Sequence, residues 1–112
     1  MSLFENRERA FENLFVHEED LRFRAAARRN RKLAAWAAAR MSLPEHEASS
    51  YQSFIVRLGA FFGDDGVRER ILHDLGKAGA GVSDHRIRRL MDELIAAEIA
   101  REAPPRPVRP GH

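Results

Sequence analysis

Apolar residues recur at three- and four-residue intervals along most of the chain, and no stretch alternates with the period-two pattern of a strand. The pattern predicts an all-α fold of four helical stretches and a tail. The first runs without Gly or Pro from Leu3 to Met41 and is dense in Ala, Arg, Glu and Leu, all strong helix formers. Ser42-Leu43-Pro44-Glu45 stops it and starts the second, with Ser42 as a capping residue and Glu45 three positions on, as in a capping box. The second helix ends near Leu58, where Gly59 and Gly63 break the pattern; Asp64 or Asp65 caps a third that reaches Lys77. Gly76 and the Gly79 to Gly81 stretch close it, and Ser83 caps the fourth, Asp84 to about Glu102. Ile87, Leu90, Met91, Leu94, Ile95 and Ile99 line one face of that fourth helix. Pro104-Pro105-Arg106-Pro107 ends it and begins a solvated, polyproline-like tail.

The lengths do not match. At about 1.5 Å per residue the last three helices span roughly 20–30 Å, whereas an uninterrupted first helix spans on the order of 55 Å. Partners in a bundle must cover one another, so about half of the first helix overhangs. The tight turn at Ser42 places the packed half at about Leu21 to Met41. The overhang is nevertheless apolar on one face: Phe4, Phe11 and Phe15, spaced by seven and four, are three of the seven Phe residues of the chain. Such a stripe either folds back on its own bundle or lies in a partner's groove; the mismatch in length favours the partner.

Charge adds a second asymmetry. The net charge of +2 conceals an acidic start, Glu5, Glu8, Glu12, Glu18, Glu19 and Asp20 against Arg7 and Arg9, followed by seven bases and no acid from Arg22 to Arg40. Arg28-Arg29-Asn30-Arg31-Lys32 resembles the basic region of zipper-type DNA binders, which makes a helical nucleic-acid-binding module using Arg22 to Arg40 the alternative reading. Pro44 arrives before any zipper heptads, and Leu33 and Trp36 in the same stretch read as core, so no nucleic-acid partner is expected. With 112 residues one domain is expected. Without Cys there is no disulfide, thiolate metal site or Cys nucleophile, and a cytoplasmic setting is expected. No uncharged run approaches the roughly 20 residues of a membrane span, so no direct membrane insertion is expected.

Catalytic chemistry is sparse. His17-Glu18-Glu19-Asp20 are consecutive and radiate from a helix in different directions, and no second His stands at metal-ligand spacing. His46, with Glu47, fails in the same way, and His85, beside Arg86, Arg88 and Arg89, lacks a partner for general-base work. In Gly76-Lys77-Ala78-Gly79-Ala80-Gly81 the Lys precedes most of the glycines, opposite to a phosphate-binding loop. The readings exclude an enzyme and expect no catalytic residue, metal or cofactor; nucleotide binding stays open.

Taken together, Phe4-Glu5-Asn6-Arg7-Glu8-Arg9-Ala10-Phe11-Glu12, Phe15, His17, Leu21-Arg22-Phe23, Arg28-Arg29-Asn30 and Trp36-Ala37-Ala38 resemble the zeta subunit family, the ATPase inhibitors of certain bacterial F-type ATP synthases. The block Val82-Ser83-Asp84-His85-Arg86-Ile87-Arg88-Arg89-Leu90-Met91-Asp92-Glu93-Leu94 is similar to the same family. Glu45 to Gly81 matches only in helical pattern, and the tail from Pro104 looks like an extension without a family counterpart.

The resemblance implies a mobile inhibitory segment, residues 1–18, a four-helix bundle at 19–103 and a disordered tail at 104–112. It implies that about Ser2 to Val16 becomes helical on inserting between catalytic and non-catalytic subunits of the ATPase head, against the rotor, and blocks rotation in the hydrolysis direction. Phe4, Phe11 and Phe15 are then the anchors, and Arg7, Glu8 and Glu12 the polar contacts. The expected setting is cytoplasmic, peripheral to the inner membrane through the synthase, with the free protein a monomer.

Overall fold

A computed structural model describes residues 3–102, with side chains described from residue 19 onward. The chain forms three helices, α1 (Leu3–Arg40), α2 (Glu45–Lys77) and α3 (Asp84–Glu102). The Pro-rich tail and the side chains of residues 1–18 lie outside the described residues.

In α1, one face is packed and the other solvated. Ala25, Arg29, Asn30, Leu33, Ala34, Ala37 and Ala38 are buried, at the three- and four-residue intervals of a single helical stripe. The small side chains of Ala34, Ala37 and Ala38 let both neighbouring helices approach closely. The helix ends where Ser42 takes a left-handed conformation (φ 57°), with Leu43 N–H donating to the Ala38 carbonyl (3.0 Å) and Ser42 N–H to that of Ala39 (3.1 Å). This is a Schellman end. The expected capping box is absent: Pro44 stands at the N-cap of α2 and no side chain caps it. Ser42 is spent on closing α1.

The expected four-helix bundle is corrected to three helices, because the predicted second and third helices are one element. α2 is non-helical only at Gly63 (φ 68°, ψ −168°), a region that glycine alone adopts readily. The bend there is sharp. The Tyr51 hydroxyl donates to Asp74 (2.8 Å), 23 residues away, and the Arg70 guanidinium lies 4.9 Å from the Phe54 ring centre. Along a straight helix Tyr51 and Asp74 would be about 35 Å apart, so the two arms of α2 run back beside each other. Gly59, read from sequence as a stop, lies within the first arm. A Cβ there would run into the Asn30 amide and sit 3.1 Å from Val67, so this glycine marks close packing against α1.

A second Schellman end, with Gly79 at the left-handed position (φ 72°) and Ala80 N–H on the Leu75 carbonyl (2.9 Å), closes α2. Ser83 then caps α3 as expected, its hydroxyl accepting from Arg86 N–H (3.1 Å). Leu33, Ala34, Ala37, Ile55, Val67, Ile71, Leu75, Ile87 and Met91 form the core, drawn from all three helices. Trp36 packs at its margin, half-buried, with the Arg40 guanidinium 5.2 Å from its ring centre.

The described molecule is 62 Å long and 39 by 28 Å across. That length is close to the roughly 57 Å of a 38-residue helix. α3 and either arm of α2 are half as long or less, so α1 is the one element that runs the length of the molecule.

Candidate functional site

The described core begins at Ala25. Of the six residues before it, Glu19, Asp20, Arg22, Phe23 and Arg24 are exposed and Leu21 is half-buried. Asp20 and Arg24 pair across one turn at 3.0 Å, which supports the helix where tertiary packing does not. From there α1 continues helical back to Leu3. The backbones of Phe4, Arg7, Glu8, Phe11, Glu12 and Phe15 belong to this part of α1, and their side chains lie outside the described residues.

Two polar clamps hold the packed half of α1 where it enters the bundle. In the first, Glu98 of α3 is fully buried. Arg28 Nε donates to Glu98 Oε2 at 2.8 Å, Lys32 pairs with Oε1, Arg101 stands 3.8 Å away, and Arg28 also reaches Glu102. The hydrogen bonds from Lys32 and then Arg28 hold the Glu98 carboxyl below the usual carboxylate range, against burial, which pushes it up. The same contacts raise Arg28, with Glu98 as the main cause.

The second clamp is at the bend of α2. Arg29, buried with a side chain only 3% exposed, donates to Asp64 at 2.5 Å and to the side-chain amide oxygen of Asn30, Oδ1, at 2.8 Å. Asp64 follows Gly63 directly, so α1 grips the corner of α2 from within. A third tie joins α2 to α3: Arg68 lies 2.7 Å from Asp65 and 3.0 Å from Asp84, which also pairs with Arg88 at 2.6 Å. Arg88 first, then Arg68, hold the Asp84 carboxyl down.

These contacts account for most of the basic run. Arg24, Arg28, Arg29 and Lys32 are ion-paired within the fold; Arg22, Arg31 and Arg40 have no acidic partner among the described residues, and Arg40 lies on Trp36. The seven bases are thus a fold-stabilising set more than a phosphate-binding face. Sequence reasoning missed Glu98, placing Ile99 on the apolar stripe instead, although Ile99 is 51% exposed. The available signal was complementary charge, with Glu98 and Glu102 on one helix and Arg28 and Lys32 on another.

Among the described residues no three His, Cys, Asp or Glu side chains converge as metal ligands, and no helix is long and apolar enough to cross a membrane. What the described surface offers is a scaffold, clamped at one end of α1, from which the rest of that helix extends.

A search of the curated proteins gives no match. A family model matches residues 1–102, taking in the aromatic start of α1, the bent α2 and all of α3, and stopping short of the Pro-rich tail. That model describes the ATPase inhibitor subunit zeta, and the chain, matched along nine-tenths of its length, belongs to the zeta subunit family of ATPase inhibitors.

Proposed function

We propose that this protein inhibits ATP hydrolysis by an F-type ATP synthase, with the part of α1 ahead of Glu19 lying in a groove at a catalytic interface of the ATPase head and against the rotor. The observation that carries the reading is the emergence of α1 from its bundle before Ala25 as a continuing helix, in a chain of the zeta family. A preformed helix binds without first meeting the full cost of ordering its backbone. Phe4, Phe11 and Phe15 supply the apolar anchors, and Arg7, Glu8 and Glu12 the polar rim. Rotor contact makes the block mechanical, and the inhibitor needs no catalytic group of its own. Neither the tail from 104 nor a bound nucleotide has a part in this reading.

Hydrolysis by the cognate ATPase head, titrated with the full chain, tests it. Inhibition by the wild type, with a half-inhibitory concentration raised at least tenfold by Phe11→Ala plus Phe15→Ala, is the expected result. Equal inhibition by both proteins overturns the assignment of the anchors. A nucleic-acid role would show instead as oligonucleotide binding with a steep inverse salt dependence, abolished by Arg22→Glu with Arg31→Glu.

A further inference from the structure

Three of the most exposed large apolar residues lie on α1 just before its packed half and at the end of the first arm of α2. Phe23 on α1 is 61% exposed, and Phe61 and Phe62, at the end of the first arm of α2, are 83% and 70% exposed. Phe23, Ala27, Val56 and Ala60 line one shallow cleft between the two helices, closed by Asn30 and Asp64, so the α1 ring faces the segment that leads directly into Phe61 and Phe62. Singly exposed apolar residues on a surface are ordinary; two consecutive exposed phenyl rings that follow directly on an apolar cleft lined by a third are not.

The corner is also built rigidly. Gly59 allows the closest approach of α2 to Asn30, the buried Arg29 ties down Asp64, and Val67 is fully buried behind the bend. The rings therefore project from a fixed base, which lowers the entropic cost of using them in binding. Exposed charges surround them, with Arg22 beside Phe23 and Asp64 and Asp65 after Phe62, in the manner of an apolar contact with a polar rim.

Size decides what they meet. A groove that admits one helix is about 10–12 Å wide, and a bundle in which α2 and α3 pack on α1 is wider than any single helix. A partner that takes the N-terminal part of α1 into such a groove must stop at the bundle, where Phe23 is exposed beside the cleft that leads into Phe61 and Phe62.

We infer that Phe23, Phe61 and Phe62 form a second contact with the ATPase head, seated on an apolar shelf at the mouth of the groove that takes the N-terminal helix. This rests on the inhibitor reading above. The corner supplies a docking stop that fixes how deep the helix goes and adds affinity outside the groove.

The test uses full-length protein and immobilised cognate ATPase head, comparing the wild type with Phe61→Ser plus Phe62→Ser. Both residues face solvent, so the thermal melting of the variant should equal that of the wild type, and Phe61→Tyr plus Phe62→Tyr provides a bulk-conserving second variant. Dissociation of the Ser variant roughly tenfold faster or more, with the Tyr variant near the wild type, is the expected result. Equal dissociation of the Ser variant and the wild type overturns the inference while leaving the inhibitor reading intact. Failure of the wild type itself to bind the head overturns both. Sedimentation in parallel covers the remaining occupant: a wild-type dimer that the Ser variant abolishes would assign the corner to a second copy of the chain and overturn the inference.

Discussion

At the residue scale, Glu98 is the most informative position. A carboxyl held below its ordinary value of 4.5 stabilises the fold above that pH and ceases to do so as pH falls through its lowered native value. Asp84, held down from 3.8, acts in the same direction. The protein should therefore lose stability progressively below about pH 4.5, as followed by helical circular dichroism. Glu98→Gln should melt lower than the wild type at pH 7 and decline less steeply in acid, because the titrating partner of Arg28 and Lys32 has gone. Ser42 points the other way. A non-glycine residue at a left-handed helix end carries strain, and Ser42→Gly should stabilise by about 0.5–1 kcal/mol, read as a raised denaturation midpoint. Trp36 marks a limit of sequence reasoning, since its spacing of three from Leu33 suggested a core position, yet it is half-buried under Arg40. Trp36→Ala should cost about 2 kcal/mol, and Leu33→Ala, fully buried, about 3–4 kcal/mol.

At the element scale, α2 depends on two glycines that do different work. Gly63→Ala meets no neighbouring atom but forces a side chain into a backbone region that disfavours it, and should cost about 1–3 kcal/mol by chemical denaturation. Gly59→Ala keeps a helical backbone but pushes Asn30 away from Arg29, and should cost a comparable amount through packing. Glycine spacing made the interruption legible in the sequence, and periodicity made α1, α3 and the Ser83 cap legible. What it could not convey was whether a glycine ends a helix, bends it or lets another helix pass, because that depends on the surface opposite. Gly59 was misread for this reason. Glu98 was missed because an apolar stripe admits a charge only when another helix brings the compensating cations, and that pairing is a tertiary fact. For the candidate site, the aromatic stripe of Phe4, Phe11 and Phe15 is a reading of the sequence whose side chains lie outside the described residues, while the cleft between Phe23 and the end of the first arm of α2 needed the fold to bring distant residues together.

At the scale of the whole molecule, the buried positions among the described side chains run from Ala25 to Glu98, and these alone supply a core from all three helices. A chain lacking the first eighteen residues should keep cooperative thermal unfolding with a midpoint near that of the wild type, and should no longer inhibit the ATPase. Loss of cooperativity would place the N-terminal stripe in the protein's own core. One feature of α1 ties this anatomy to its proposed use: no break separates Leu3 from Arg40, so the anchors and the bundle share a single helical screw. Each residue advances that screw by about 1.5 Å and about 100°. Adding one Ala between Glu19 and Asp20 would turn Phe11 and Phe15 by about 100° relative to the corner of α2, so one binding face engages only at the expense of the other. Adding seven would restore the bearing to within about 20° but lengthen the reach by about 10 Å. If α1 works as a rigid key with a shoulder, the single insertion should weaken inhibition by losing phase, and the seven-residue insertion by losing depth.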